Sequence, residues 1–164
     1  EVTDGFMTHP TNTSPRFLRE SVRPTLAAGA ERGGRDARDV QLLVGGFVAT
    51  GRDAAAVARE REQIRELLTF LYSTPTYWPT LDLFGWRAVG ERLHRLSREG
   101  KWAEMTGAVD DGMLDALVPQ APYGEIAAVL NDWYGELASR ITFPVPADPA
   151  DDAAAARAIE TLRI

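Results

Sequence analysis

The chain of 164 residues is 45% hydrophobic and 26% charged, a balance typical of a globular protein rather than a disordered or fibrous one. Its formal net charge of -6 disfavours a nucleic-acid partner, and its longest apolar stretch, residues 42–49, is far shorter than the roughly 20 residues of a membrane-spanning helix. The chain has no cysteine for disulfides or thiolate chemistry and no signal-peptide pattern, so we expect a cytoplasmic location.

The first predicted elements are a strand and a helix. Residues 2–6 have a strand pattern at the very start of the sequence, so we expect an N-terminal truncation with partner strands upstream. Ser14 can cap a helix whose first residue is Pro15, and the glycines at 33–34 can end it. Pro24 is expected to bend this helix in its middle.

The second predicted strand is the most apolar part of the chain. Residues 40–49 are apolar at both odd and even positions, which is typical of a strand buried on both faces of a parallel sheet. Gly45 and Gly46 lie inside this run and lack the surrounding pattern of a phosphate-binding loop. We interpret them as positions that let a helix approach closely.

The rest of the chain is mainly helical. A second helix is predicted from Asp53 to the residues before Pro75, and residues 72–79 are expected to form an ordered, packed loop because they contain two prolines and three aromatic residues. Three further apolar stripes predict helices before a last strand at residues 140–146 and a final helix from about Ala150.

This order of elements predicts an α/β protein. Strands that alternate with helices form parallel sheets through right-handed crossovers. Three strands are few for a sheet whose middle strand is buried on both faces, and a complete (β/α)8 barrel takes about 250 residues. We therefore expect residues 1–164 to form one unit that is part of a larger domain.

Several short segments together resemble the luciferase-like monooxygenase superfamily. They are residues 4–6 (Asp-Gly-Phe) followed by 8–10 (Thr-His-Pro), residues 24–30, and residues 48–51. The segment from Tyr72 to Trp86 is similar to a mainly actinobacterial subgroup that uses the deazaflavin coenzyme F420. The resemblance covers nearly the whole chain, and the order of the segments carries it more than any one of them.

The resemblance implies a fold and an activity. The fold would be a partial (β/α)8 TIM barrel, about strands six to eight, the C-terminal part of a luciferase-like domain, with a helical insertion at residues 72–120 before the last strand. The activity would be transfer of a hydride or electrons between coenzyme F420, or alternatively FMN, and a small organic substrate. The full-length protein is expected to be a homo-oligomer, and the isolated fragment inactive.

The resemblance also implies site residues. The loop after the sixth strand lies near the phosphate side of the cofactor in relatives, so Thr8 and His9 are the cofactor-binding candidates, while the residues that hold the cofactor ring lie mostly in earlier strands. One position departs from the pattern. Relatives have Gly-Ser/Thr-Pro at the start of the helix before the last strand, whereas residues 120–122 here are Gln-Ala-Pro.

Each candidate has a simpler alternative interpretation. His9 could be an ordinary loop histidine. Tyr77 and Trp78, which are candidates for a substrate pocket, could belong to the core or to a subunit interface, as aromatic residues often do. A metal site is not expected, because the two histidines, His9 and His94, lie far apart in the sequence.

Two competing functions remain open at this stage. The chain could be a non-enzymatic helical domain that binds a ligand or a partner through the aromatic loop, or a complete small α/β protein of another activity. Sequence upstream of residue 1 would separate these hypotheses from the oxidoreductase fragment, since further strands and cofactor motifs are expected there only for the fragment.

Overall fold

The computed structural model describes residues 2–162 and shows an α/β architecture with parallel sheets. The strands within this range are β1 (Gly5–Met7), β2 (Gln41–Val44), β3 (Ala49–Gly51), β4 (Gln120–Pro122) and β5 (Arg140–Ile141). The helices are α1 (Pro15–Phe17), α2 (Arg23–Arg32), α3 (Ala54–Tyr72), α4 (Pro79–Phe84), α5 (Arg87–Arg98), α6 (Asp111–Leu117), α7 (Ile126–Tyr134) and α8 (Asp152–Glu160). Among residues 2–162, no helix is long and apolar enough to cross a membrane.

The larger sheet has the strand order β1-β2-β5, and both pairings are parallel. Phe6 is opposite Leu42 and Val44 is opposite Ile141 in the register. The ladder continues past the end of β5, because the Thr142 N–H donates to the Val44 carbonyl over 3.0 Å. Beyond Thr142 no further ladder bond to β2 follows within residues 2–162, so the strand predicted over residues 140–146 is shorter than expected. Its later part contains two prolines, which have no N–H to donate to a ladder.

The strand predicted over residues 40–49 is two strands in different sheets. β2 ends at Val44, and β3 begins at Ala49 and pairs in parallel with β4, with Gly51 opposite Pro122. Val48 packs in the core cluster of the larger sheet and Ala49 in the cluster around α3. Residues 40–49 are apolar at both odd and even positions because the chain passes from one core cluster to the other. They do not form one strand that is buried on both faces.

The two glycines in this run mark the place where the chain changes sheets. A Cβ at Gly45 would lie 2.9 Å from the Thr8 carbonyl oxygen, and one at Gly46 would lie 3.0 Å from Thr13 Oγ1. The close approach is therefore made by the segment after β1, and the expectation of a closely packed helix was wrong.

The first helical segment changes its hydrogen-bond pattern in the middle. The Ser14 hydroxyl accepts a hydrogen bond from the Phe17 N–H and caps α1 as predicted. Residues 18–22 then form a π-helical turn in which the Arg23 N–H donates to the Leu18 carbonyl, and α2 follows. Pro24 is the second residue of α2 and has no N–H for the regular α-helical bond, so this turn is the irregularity that the proline predicts.

Two core clusters hold these elements together. The first contains Leu68 of α3, Leu93 of α5 and Leu114 of α6, all essentially inaccessible to solvent. The second contains Leu42 of β2 and Leu130 of α7, which are equally buried. The helices between α3 and β4, at residues 72–120 where the resemblance implied an insertion, thus share the first core cluster with α3.

Candidate functional site

The end of β1 presents two polar residues with different environments. Thr8 is 3% exposed, and its hydroxyl accepts a hydrogen bond from the Gly45 N–H over 3.2 Å. Its own N–H donates to the Leu43 carbonyl, which extends the ladder between β1 and β2. The Thr8 side chain therefore holds the segment that leaves β2 against the end of β1.

His9 is exposed and is held by its neighbours. Its Nδ1 accepts a hydrogen bond from the Thr11 N–H over 3.4 Å and lies 2.9 Å from Thr11 Oγ1. It thereby caps a short 3-10 turn at residues 10–12. Because Nδ1 accepts, the neutral imidazole carries its proton on Nε2. This nitrogen is the one donor of the ring that remains for another molecule.

Tyr77 stacks on this imidazole. The ring centroids of His9 and Tyr77 are 4.6 Å apart and their planes differ by 17°. The contact joins the end of β1 to the aromatic segment that follows α3, two regions separated by nearly 70 residues in the sequence. Stacking fixes the plane of the imidazole and so the direction in which Nε2 points.

Trp78, the neighbour of Tyr77, has a different position. It is only 8% exposed, its indole Nε1 donates to the Tyr72 carbonyl over 2.7 Å, and its ring meets the edge of the His94 ring. The structure thus brings Tyr77 to His9 and places Trp78 in the first core cluster. The alternative interpretation of an aromatic core residue fits the geometry of Trp78.

The aromatic segment is tied to the end of β1 by buried hydrogen bonds. The Thr80 hydroxyl lies 2.6 Å from the Thr11 carbonyl and 2.9 Å from Asn12 Oδ1, and the Tyr72 hydroxyl lies 3.4 Å from the same carbonyl. Burial raises the pKa of Tyr72, so its hydroxyl remains a neutral donor. The loop expected over residues 72–79 is ordered, with a 3-10 turn at Pro75–Tyr77 followed by α4.

Sequence analysis missed these anchoring residues. Thr11 lies far from Tyr72 and Thr80 in the chain. Nothing in the spacing of these residues indicates that the Thr11 carbonyl accepts hydrogen bonds from both of the other side chains. Residues 120–122, which depart from the pattern of relatives, form strand β4, and the next helix begins only at Ile126. Within residues 2–162, no group of three or more His, Asp or Glu side chains could hold a metal ion.

The chemistry available at this site is that of a hydrogen-bond donor on an aromatic support. An exposed imidazole N–H can bind a phosphate, carboxylate or carbonyl oxygen, and the adjacent ring of Tyr77 adds apolar surface. These side chains contain no group that carries a hydride or an electron pair between substrates. Any redox chemistry here must come from a bound cofactor.

Comparison with known proteins identifies the family. Residues 1–140 match the model of the luciferase-like monooxygenase family, and the chain therefore belongs to it. Uncharacterised proteins of Mycobacterium tuberculosis and Mycobacterium bovis are 39% identical to it over 132 residues, which is 80% of this chain and 38% of each relative. The chain thus spans less than half the length of the curated relatives that it matches.

One solved structure extends the similarity to the fold. The coenzyme F420-dependent tetrahydromethanopterin reductase of Methanopyrus kandleri superposes with a TM-score of 0.71, and the match covers all of this chain and 45% of the reductase. The sequence identity is 15%, so this match shows a common fold.

Proposed function

We propose that this chain is the C-terminal part of an oxidoreductase that transfers a hydride or electrons between coenzyme F420, or alternatively FMN, and a small organic substrate. The observation that carries the proposal is His9, exposed and stacked on Tyr77 beyond the carboxyl end of a parallel strand. In barrel enzymes the active site lies at this end of the strands. Membership of the luciferase-like family and the fold of the F420-dependent reductase support it.

In this proposal β1, β2 and β5 are strands six, seven and eight of a (β/α)8 barrel. They are adjacent and parallel in chain order, as consecutive barrel strands are. Residues 72–120 are then a helical insertion before the last strand. This insertion carries Tyr77 to the mouth of the site. The earlier strands, the homo-oligomeric assembly and the cytoplasmic location belong to the full-length protein and are part of the same proposal.

The residues of this chain bind and orient rather than react. The cofactor, when bound, supplies the hydride or electron pair through its own ring. His9 Nε2–H would donate to an anionic or carbonyl oxygen at the cofactor's phosphate side, and Tyr77 keeps the imidazole plane fixed. Thr8 would act mainly through Gly45, because its hydroxyl already accepts from that N–H.

The test is cofactor binding by the full-length protein. His9→Ala should weaken binding of F420 or FMN by about 1–3 kcal/mol, the value of a hydrogen bond to a charged group. Turnover at saturating cofactor should change less. Fluorescence titration with each cofactor gives the dissociation constants and also distinguishes F420 from FMN.

His94→Ala is the matched control, since this histidine bonds the Ser73 carbonyl through Nδ1 and packs on Trp78 rather than on Tyr77. Its cofactor affinity should stay at the wild-type value. Equal dissociation constants for wild type and His9→Ala would show that His9 is an ordinary loop histidine and would remove the residue from the site.

The competing function, a helical domain that binds a partner, has one observation in its favour. Phe70 and Trp102 are 60% and 54% exposed and stack on each other with a centroid distance of 6.4 Å. Exposed aromatic pairs are frequent in protein interfaces. If the full-length protein binds neither F420 nor FMN, this function becomes the better explanation of the chain.

A further inference from the structure

A polar cleft of about 590 Å3 opens beside the first turns of α3 and contains neither His9 nor Tyr77. It is formed by the end of β3, the start of α3, Tyr123 after β4 and the loop before α8. Four carboxylates and two guanidinium groups line it: Asp53, Glu60, Asp148, Asp151, Arg52 and Arg59. The cleft therefore has an excess of negative charge, which disfavours a phosphate or carboxylate ligand.

Most of these charges already have partners. The Asp53 carboxylate accepts from the Ala56 N–H over 2.8 Å and caps α3. Arg52 forms ion pairs with Asp148 and with Asp151, the latter over 3.1 Å. Glu60 and Arg59 are different, because no side-chain hydrogen bond or ion pair within residues 2–162 engages either of them. Glu60 is the acidic group of the cleft that remains for a ligand.

Tyr123 supplies a second free acceptor. It is only 9% exposed, it lines the cleft, and its hydroxyl has no hydrogen-bond partner within residues 2–162. Burial raises the pKa of Tyr123, and the charges of Asp151 and Glu60 raise it further. Glu60 and Tyr123 line the same cleft, and the Arg52 guanidinium partly offsets the effect of the carboxylates on this pKa.

Thr50 adds another unsatisfied polar group to the same cleft. It is 4% exposed, and its Oγ1 has no hydrogen-bond partner. The Thr50 oxygen is shielded from solvent, whereas Tyr123 lines the open cleft, so the phenol is the unpaired hydroxyl that a polar molecule in the cleft can complete. This unpaired and nearly buried side chain distinguishes the cleft from an acidic patch beside a helix end.

We propose that this cleft binds a small organic cation through a primary ammonium group. The Glu60 carboxylate balances the charge of the ammonium, and the Tyr123 hydroxyl accepts one of its N–H groups. An ammonium group has three N–H donors and no acceptor. It therefore matches a carboxylate and a phenol oxygen that accept no hydrogen bond from the protein within residues 2–162. The cleft shares no lining residue with the His9 and Tyr77 site, so a failure of this proposal and a failure of the oxidoreductase function can be told apart.

Equilibrium dialysis of the chain with labelled butylammonium tests this site, with labelled butan-1-ol as the uncharged probe of the same length. Dialysis measures binding whether or not the chain associates with itself. The amine should be retained at one molecule per chain and the alcohol should not. Equal retention of the two probes would overturn the proposal, because the charge would then contribute nothing.

Two variants locate the binding. Glu60→Gln and Tyr123→Phe should each lower the affinity for butylammonium about tenfold, since each removes one acceptor of a charged hydrogen bond. Glu66→Gln is the control, because it makes the same charge change six residues further along α3, outside the cleft. Circular dichroism checks the fold, and Glu60→Gln carries the test if Tyr123→Phe does not fold. Unchanged affinity in Glu60→Gln, or an equal loss in Glu66→Gln, would refute the site.

Discussion

Tyr77 and Trp78 are adjacent in the sequence but have different structural roles, which stability measurements can separate. Trp78 is so tightly packed that a Cβ at Gly90 would lie 2.6 Å from its Nε1, and this nitrogen also satisfies the Tyr72 carbonyl. Trp78→Ala should therefore lower the free energy of unfolding by about 3–5 kcal/mol. Tyr77→Ala removes a half-buried ring and should cost no more than about 1 kcal/mol.

Urea unfolding followed by circular dichroism, at a protein concentration too low for association, gives both values. Tyr77→Ala should in addition weaken cofactor binding in the full-length protein, because it frees the His9 ring. A Trp78→Ala variant as stable as wild type would contradict the core assignment and return Trp78 to the substrate-pocket candidates.

The aromatic segment shows what residue-level patterns can predict. Two prolines and three aromatic residues correctly indicated an ordered, packed segment at residues 72–79. They could not indicate which ring faces the core, because the 3-10 turn ending at Tyr77 sets that direction and depends on contacts with residues 9–12. Those contacts join parts of the chain that are nearly 70 positions apart, and local periodicity carries no information about them.

At the level of elements, an ion-pair network joins α3 to α6. Arg61 contacts Asp111 over 3.1 Å and Asp115 over 2.7 Å, and Arg65 also reaches Asp111. Hydrogen bonds from Arg65 and then Arg61 lower the pKa of Asp111 below its ordinary value. In the unfolded chain the carboxyl lacks these partners, so the unfolded state binds a proton at a higher pH than the folded state.

This network predicts a pH dependence of stability. The contribution of Asp111 is present above the ordinary carboxyl pKa of about 3.9 and is lost as the pH falls through the lower pKa of the folded state. Wild type should therefore be more stable than Asp111→Asn at pH 6, and the difference should shrink towards pH 3. Melting temperatures of both proteins across this range measure the difference in stability.

Asp132→Asn, on the exposed side of α7, controls for the loss of one charge. A difference in melting temperature between wild type and Asp111→Asn that stays constant with pH would contradict the argument.

The strands show why the element order was predictable and the sheet was not. The sequence predicted strands at residues 2–6, 40–49 and 140–146, which overlap β1, β2 and β5 without matching their bounds, and the parallel pairing followed from the helices between them. It merged β2 and β3, because hydrophobicity does not reveal that Gly45 and Gly46 carry the chain from one core cluster to another. It missed β4, a three-residue strand that contains a proline and has no pattern of its own.

At the scale of the whole molecule, β1 is the most exposed strand within residues 2–162. All three of its residues are exposed, including Phe6 at 47% and Met7 at 61%, although the adjacent strand β2 is largely buried. β1 is also an edge of its sheet, so its outer N–H and C=O groups are not paired by another strand within residues 2–162. Open parallel edges with apolar neighbours are rare in isolated domains, because they pair with other chains.

We therefore expect the 164-residue chain to associate with itself at micromolar concentration, through the edge and open face of β1. Sedimentation velocity over a range of concentrations should show species larger than the 18.0 kDa chain. Met7→Lys places a charge on this surface and should shift the distribution towards monomer, as lysines on natural edge strands do. Val145→Lys changes an equally apolar and more exposed residue outside the sheet, at 89% exposure, and should leave the distribution unchanged.

In the proposed full-length barrel an upstream strand would cover β1, so the same Met7→Lys change should there reduce stability rather than association. A stable monomer of the 164-residue chain at tens of micromolar would show that the β1 surface needs no partner, which would count against the partial barrel.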